Sequence, residues 1–102
     1  MTNLNHKEVR VAELRTAEEV RASMKTIAGW KRRRKEIVRV FEFKDFVNAM
    51  KFVNKVAAMA EKHKHHPDID IRWNKVTLVL STHSAGGLTI KDFQLACAID
   101  LL

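Results

Sequence analysis

The chain has 102 residues, of which 46% are hydrophobic and 30% are charged, and its formal net charge is +7. These values predict one globular domain over residues 1–102, and no apolar run approaches the ~20 residues that a membrane-spanning helix requires. The single cysteine, Cys97, has no partner for an internal disulfide, which indicates a reducing compartment, so we expect a cytoplasmic protein.

The N-terminal quarter predicts a polar end followed by a helix. Residues 1–8 are polar, and we expect them to be frayed. Thr16 and Glu19 have the spacing of a capping box, in which each side chain accepts a hydrogen bond from the other residue's backbone N–H. Apolar residues recur at helical spacing as far as Ile27, and Gly29 is typical of a helix end.

The next stretch predicts a β-hairpin and then the longest helix. Trp30 is expected to open a short strand, and residues 37–43 form a second one, because β-branched and aromatic residues dominate there. Asp45 is suited to cap a helix over residues 46–62, which carries one apolar stripe. Pro67 cannot continue a helix, so this helix must end before the paired histidines that precede the proline.

The basic run of residues 31–35, Lys-Arg-Arg-Arg-Lys, carries much of the positive charge. Such a run indicates either a solvated hairpin tip or a patch for nucleic acid or an acidic protein. No aromatic residues are interleaved with it for base stacking, and no nucleic-acid-binding motif surrounds it. We therefore interpret the run as a solvated tip and do not expect nucleic acid as a partner.

A second hairpin follows the proline. Residues 70–73 and 76–83 predict strands joined by a tight turn at residues 74–75. In the second of these strands every other residue, beginning at Val76, should face the helices, and His83 is then expected to point to the opposite, open face.

The last segment predicts a helix that starts at a second capping box, Thr89 with Asp92, and runs to Leu102. The order helix, hairpin, helix, hairpin, helix predicts an α+β fold, with a four-stranded antiparallel sheet and three helices packed on one face. Apolar residues lie on more than one side of the last helix, which predicts burial against another subunit or a partner. These residues are Ile90, Phe93, Leu95, Cys97, Ile99, Leu101 and Leu102.

Four of the five histidines lie between residues 61 and 92, namely His63, His65, His66 and His83. Imidazoles exchange protons near neutral pH, and a nearby carboxylate and indole favour acid–base catalysis on a flat heterocycle. A zinc site is the alternative. Adjacent histidines on an extended loop should diverge, however, and the spaced ligand pairs of zinc sites are absent, so no metal is expected.

The spacing of these residues resembles the signature of the pterin-4a-carbinolamine dehydratase family. The matching residues are Glu61, His65, His66, Pro67, Trp73, His83 and Asp92. The resemblance extends from about Gly29 to the C-terminus. It implies removal of water from 4a-hydroxytetrahydropterin, the product of aromatic amino-acid hydroxylases, to give quinonoid dihydropterin without a metal or organic cofactor.

The resemblance also implies roles for individual residues. His65 and His83 are the expected acid–base pair, and His66 mainly holds the pterin, so these three histidines form the catalytic set. The residues expected to contact the substrate are Glu61, Pro67, Trp73, Ser81, Thr82 and Asp92. Three of these have structural alternatives: Asp92 as a helix cap, Glu61 as an ordinary residue of a last helical turn, and Trp73 as hairpin packing. His63 has no counterpart in the signature and is expected to be solvated.

The resemblance leaves a second class of function open. Some members of the family act as protein-binding modules that stabilise the dimer of a homeodomain transcription factor. Members of the family are dimers or tetramers, so a homo-oligomer is expected here, and the sequence does not decide between two and four subunits. A functional link to an aromatic amino-acid hydroxylase is expected for the dehydratase reading.

Overall fold

The computed structural model describes residues 13–102, and the predicted frayed end lies outside this range. Within it, three α-helices alternate with two β-hairpins, and the predicted α+β class is confirmed. The elements are α1 Ala17–Met24, β1 Lys31–Arg33, β2 Glu36–Glu42, α2 Phe46–His63, β3 Asp68–Arg72, β4 Lys75–Leu80 and α3 Ile90–Asp100. A short 3₁₀ turn, His83–Ala85, lies between β4 and α3. None of the helices in residues 13–102 has the length and apolarity that crossing a bilayer would take.

The four strands form one antiparallel sheet in the order β1-β2-β4-β3. The two hairpins meet through β2 and β4, where Ile37 lies opposite Leu80. Asp68, the first residue of β3, lies opposite Val79 near the end of β4. The segment that follows α2 and the end of β4 therefore lie at the same end of the sheet.

One face of the sheet is buried. Val76, Leu78 and Leu80 have no exposed surface, whereas Thr77 and Val79 between them are half-buried on the open face, as the alternation predicts. Side chains from all three helices complete a single hydrophobic core on the buried face. Its members are Val20, Ile27, Trp30, Ile37, Ala49, Val56, Val76, Leu78, Leu80, Leu88, Phe93, Leu95, Ala96 and Ile99.

This core changes the interpretation of the last helix. Phe93, Leu95 and Ile99 were expected to face another subunit in part, but they are at most 3% exposed within the chain itself. The apolar side chains left at the surface are Ile90 at the start of α3, which is 40% exposed, Cys97 within it, and Leu101 and Leu102 after its end, which are 88% and 45% exposed. The wide apolar surface of α3 is thus largely a property of the core.

Helix α1 begins at the predicted cap but ends early. The Glu19 N–H donates to Thr16 Oγ1 at 3.2 Å, and the Thr16 N–H donates to Glu19 Oε1 at 2.8 Å. The Thr16 N–H lowers the pKa of the Glu19 carboxyl because it stabilises the charged form. The predicted end at Gly29 is wrong: α1 stops at Met24, and the Thr26 hydroxyl donates to the Ser23 carbonyl at 2.6 Å, a bond that competes with helix continuation.

Both hairpin turns are set by residues with positive φ. Arg34 (φ 58°) lies in the turn between β1 and β2, so the basic run forms β1 and this turn, and all five of its residues are exposed. In the second hairpin Arg72 pairs with Lys75, and the turn is therefore Trp73–Asn74, not the predicted residues 74–75. Trp73 itself has φ 49°.

Strand β4 is shorter than predicted. It ends at Leu80, and His83 lies in the 3₁₀ turn, not on the strand. The period-two alternation holds only while the backbone remains extended, so it cannot assign a direction to His83. The predicted strand end at residue 83 is therefore wrong, and the direction of the His83 side chain stays a prediction.

The C-terminal end of α3 is tied to the sheet by Asp100. Its Oδ1 accepts hydrogen bonds from Trp30 Nε1 at 2.9 Å and from Arg39 Nη1 at 2.8 Å. The Arg39 guanidinium also lies 4.5 Å from the centre of the Phe41 ring, a cation–π distance. Because Trp30 is only 3% exposed, its indole N–H depends on this carboxylate.

We predict that Asp100→Ala lowers the free energy of unfolding by about 1–3 kcal/mol, because the buried indole N–H and the guanidinium lose their acceptor. Urea denaturation followed by circular dichroism measures the change. Asp70→Ala is the matched control: Asp70 pairs with Arg72, both side chains are exposed, and its loss should cost less than about 1 kcal/mol. Equal effects of the two substitutions would contradict the anchoring role of Asp100.

Candidate active site

His65 is held in place by the way α2 ends. Lys64 adopts the left-handed conformation (φ 53°), which closes the helix, and the His65 N–H donates to the Ala60 carbonyl at 3.1 Å. The His65 side chain is 10% exposed, and its Nε2 lies 2.6 Å from Asp92 Oδ1. The chain reversal after α2 thus directs this imidazole into the protein toward the start of α3.

The Asp92 carboxylate has no exposed surface, and three donors surround it. Oδ2 accepts from the Thr89 N–H at 2.9 Å and from the Thr82 hydroxyl at 2.8 Å, while Oδ1 faces His65. The Thr89 bond is part of the predicted capping box, which is confirmed. The cap and the contact with His65 coexist because the carboxylate has two oxygens, of which Oδ2 serves the cap and Oδ1 faces His65. Of its three partners among residues 13–102, His65 has the most exposed side chain.

The hydrogen-bond network assigns the tautomer of His65. An ionised carboxylate only accepts hydrogen bonds, so His65 Nε2 must carry the proton that it donates to Asp92. In the neutral ring Nδ1 is then the free acceptor. His65 is therefore arranged to take up and return a proton at Nδ1 while its orientation is fixed from the other side of the ring.

His66 turns to a different carboxylate, so the two adjacent imidazoles diverge as predicted. Its Nε2 lies 2.6 Å from Glu61 Oε2, and the side chains of His66 and Glu61 are 64% and 77% exposed. An exposed pair of this kind contributes little to stability. Both groups remain accessible to a ligand.

Residues 81–83 follow β4 and bring the third histidine near the network. Thr82 is 4% exposed, and its hydroxyl donates to Asp92, while His83 is exposed in the 3₁₀ turn directly after it. The Ser81 hydroxyl donates to the Lys35 carbonyl at 2.7 Å and so fastens this end of β4 to the first hairpin. The backbone of Thr82 is already paired within the turn: its N–H donates to the Gly87 carbonyl at 2.9 Å, and its carbonyl accepts from Gly86 at 3.0 Å.

The remaining predicted residues lie at opposite ends of the second hairpin. Pro67 is half-buried and precedes β3 at the end of the sheet where β4 finishes, close in the chain to His65 and His66. Trp73 occupies the turn at the other end of β4 and is 66% exposed. Six strand residues separate that turn from residue 81, a span of about 19–20 Å. Within one chain the structure does not bring Trp73 to the histidines, and a turn position fits the alternative given above.

The candidate site lies at the protein surface, where His66 and His83 are exposed. The larger hollows found in residues 13–102 are one of about 720 Å³ between α1 and α3 and one of about 460 Å³ beside β1, and no predicted site residue lines either. His63, expected to be solvated, is half-buried and lines the first of them. In the same range no three His, Cys, Asp or Glu side chains are close enough to share a metal ion.

One member of the network was missed as a functional residue. Thr89 was predicted only as a helix cap, but its Oγ1 also lies 2.7 Å from Thr82 Oγ1. The capping-box spacing gave its local role, and no sequence signal pointed to its contact with Thr82.

The family described as "Pterin 4 alpha carbinolamine dehydratase" matches residues 13–102. A protein of Acidobacterium capsulatum named "Putative pterin-4-alpha-carbinolamine dehydratase" is 54% identical over 87 residues, which are 85% of this chain and 95% of the relative. A protein of the same name from Roseiflexus castenholzii is 51% identical over 90 residues, with 88% and 97% covered.

Two solved structures are also similar to this chain. The crystal structure of a transcriptional coactivator/pterin dehydratase from Brucella melitensis is similar with a TM-score of 0.82 and 35% identity, over 87% of this chain and 96% of that one. A pterin dehydratase-like protein identified as a RuBisCO assembly factor in the alpha-carboxysome has a TM-score of 0.58 and 19% identity, over 71% and 83%. At that identity the second likeness extends to the fold alone.

We predict that the neutral ring of His65 is the Nε2–H tautomer, because the buried Asp92 carboxylate accepts a hydrogen bond from that nitrogen. In Asp92→Asn the donors Thr82 and Thr89 hold the amide oxygen on their side, so the NH₂ group faces His65 and the ring should switch to the Nδ1–H form. Long-range ¹H–¹⁵N NMR of the imidazoles reports the tautomer directly. Asp70→Asn on the open face should leave it unchanged. A mixture at His65 in the unmodified protein would refute the assignment.

Proposed function

Because the chain belongs to the pterin-4a-carbinolamine dehydratase family, we propose that it removes water from 4a-hydroxytetrahydropterin to give quinonoid dihydropterin. The observation that carries the proposal is the buried Asp92–His65 pair with an exposed imidazole on either side. His66 directly follows His65 in the chain, and His83 directly follows Thr82, whose hydroxyl donates to Asp92. Scaffold packing alone does not require this combination of one fixed and two accessible imidazoles.

The reaction needs two proton transfers and no redox partner. The C4a–O bond breaks as the hydroxyl leaves with an added proton as water, and the proton on N5 is lost so that the C4a–N5 double bond forms. Imidazoles can carry out both transfers near neutral pH, and general acid–base catalysis of this kind contributes roughly 10²–10⁴-fold. No metal or organic cofactor takes part in the proposal.

His65 and His83 are the proposed acid–base pair. The fixed Nε2–H of His65 supports this role, since Nδ1 is then the one ring atom that exchanges a proton with the substrate. His66 is proposed to hold the pterin, and the Glu61 carboxylate at 2.6 Å orients its ring. The burial of Asp92 supports a positioning role through His65 in place of direct contact with the substrate.

The other expected contacts are carried into the proposal on the strength of the family resemblance. Pro67 and Ser81 flank the histidines at one end of the sheet, which supports them as part of the binding surface. Trp73 lies at the far end of the same hairpin, so a contact with substrate bound to its own chain has no support from the geometry.

A cytoplasmic homo-oligomer linked to an aromatic amino-acid hydroxylase completes the proposal. Phe46 and Val47, in the first turn of α2, are 48% and 60% exposed, and apolar side chains of this size favour a contact with another chain. The same exposed surface supports the second candidate function, a protein-binding module, since the relative from Brucella melitensis is named a transcriptional coactivator as well as a pterin dehydratase.

We expect the purified protein to accelerate the dehydration of enzymatically generated 4a-hydroxytetrahydropterin, measured by the absorbance of quinonoid dihydropterin. Treatment with a chelator should leave the rate unchanged, because no metal takes part. A folded protein that gives no acceleration over the spontaneous reaction would leave the binding module as the better proposal. Loss of activity after chelation would show that a metal is involved.

Alanine substitutions of the three histidines should have different effects on KM and kcat. His66→Ala should raise KM more than it lowers kcat, because it removes binding that the ground state and the transition state share. His65→Ala and His83→Ala should chiefly lower kcat, by up to about 10²–10⁴-fold for a general acid or base. His63→Ala is the matched control and should leave both constants unchanged, since His63 lies outside the family signature.

Thermal melts accompany each variant. A His83→Ala protein that melts several degrees lower but keeps its kcat would show that His83 is structural. A His65→Ala protein with normal kcat would remove the basis of the proposed mechanism.

A further inference from the structure

Thr82 stands between the two proposed acid–base residues. Its hydroxyl donates to Asp92 Oδ2 at 2.8 Å, and the other oxygen of that carboxylate lies 2.6 Å from His65 Nε2. The next residue in the chain is His83. Hydrogen bonds and the chain itself therefore connect His65 to His83 through Asp92 and one buried threonine.

The backbone of Thr82 also organises the turn that carries His83. Its carbonyl accepts N–H groups from Ala85 and Gly86, both at 3.0 Å, and its own N–H donates to the Gly87 carbonyl at 2.9 Å. Gly86 closes the turn with φ 77°, a conformation that glycine adopts without strain. Because these bonds converge on residue 82, a shift of Thr82 would move the whole His83–Gly87 segment.

The direction of every proton in this network follows by elimination. The Thr82 hydroxyl has one proton, and the carboxylate accepts it, so Thr82 Oγ1 is the acceptor in its 2.7 Å contact with Thr89 Oγ1. Thr89 Oγ1 in turn accepts the Lys91 N–H at 3.2 Å. The hydrogen bonds run one way, from Lys91 through Thr89 and Thr82 to Asp92, and no member can rotate without leaving a buried group unpaired.

We propose that Thr82 is a positioning residue that fixes His83 relative to His65 through the buried carboxylate of Asp92. The inference rests on the dehydratase function proposed above and assigns to Thr82 a role other than contact with the pterin. Its hydroxyl locks Thr82 to the carboxylate that orients His65, and its backbone locks the turn that carries His83. Both proton-transferring imidazoles are thereby held in place relative to the Asp92 carboxylate.

Such a link affects catalysis more than binding. Two proton transfers on one bicyclic substrate require both imidazoles at the correct separation, and a misplacement of about 1 Å can cost roughly 10²-fold in rate. His66 is bonded to Glu61 on the surface and does not take part in the network, so substrate binding through it should survive the loss of Thr82.

The test compares Thr82→Val, which keeps the shape and removes the hydroxyl, with Thr82→Ser, which keeps the hydroxyl. Thr82→Val should lower kcat between about tenfold and a hundredfold and leave KM within about twofold, and Thr82→Ser should recover most of the rate. Thr77→Val is the matched control: it makes the same change at a half-buried position on the open face of β4, and it should leave kcat unchanged.

A double-mutant cycle separates positioning from a general loss of stability. If Thr82 acts through His83, adding Thr82→Val to His83→Ala should lower kcat by no more than about threefold further, because the two losses are then shared. If Thr82 had a purely structural role, Thr82→Val would lower kcat by the same factor in the unmodified protein and in His83→Ala. Amide hydrogen exchange gives a readout without substrate: the N–H groups of Ala85 and Gly86 should exchange faster in Thr82→Val and not in Thr77→Val.

Each outcome bears on one claim. An active unmodified protein whose Thr82→Val variant keeps its kcat would overturn the positioning role and leave the dehydratase proposal standing. An inactive unmodified protein would overturn the dehydratase proposal and the role of Thr82 with it. If Thr82→Val does not fold, Thr82→Ala, which removes the hydroxyl from a smaller side chain, is subjected to the same cycle, and full additivity there would overturn the inference.

Discussion

The buried carboxylate of Asp92 is the constraint on which the arrangement of α2, β4 and α3 depends. A carboxylate without access to water is tolerated only where protein donors replace the solvent. Its donors come from three separate segments: Thr89 at the start of α3, Thr82 after β4 and His65 after α2. These segments must meet for the charge to be satisfied, so the requirement that stabilises the fold also assembles the candidate site.

The sequence predicts the capping box in which Asp92 takes part, but it does not predict the contact between Asp92 and His65. A threonine three residues ahead of an aspartate is a capping box by spacing alone, and both predicted boxes form. The bond from Asp92 to His65 joins residues 27 apart, and no periodicity predicts which side chain will approach the second oxygen. The family signature contains both residues without stating that they touch.

The fold was predictable because hydrophobic alternation and helix caps are local signals, and these signals fail where the backbone leaves its regular form. The alternation in β4 is correct from Lys75 to Leu80 and then loses its meaning at the 3₁₀ turn that carries His83. The second hairpin turn was misplaced by one residue because a tryptophan with positive φ is uncommon, and Asn74 is the more usual turn residue.

Gly29 was predicted as a helix end, and the structure gives a different reason for a residue without a side chain there. A Cβ at this position would lie 2.4 Å from Arg39 Cζ, so the guanidinium occupies the volume that a side chain would need. A side chain at position 29 would require the guanidinium, the far end of a flexible side chain, to move from its present place beside Asp100 and the Phe41 ring. The effect of a side chain at position 29 would therefore reach the C-terminal end of α3, because the Arg39 guanidinium that has to move is the group that contacts Asp100.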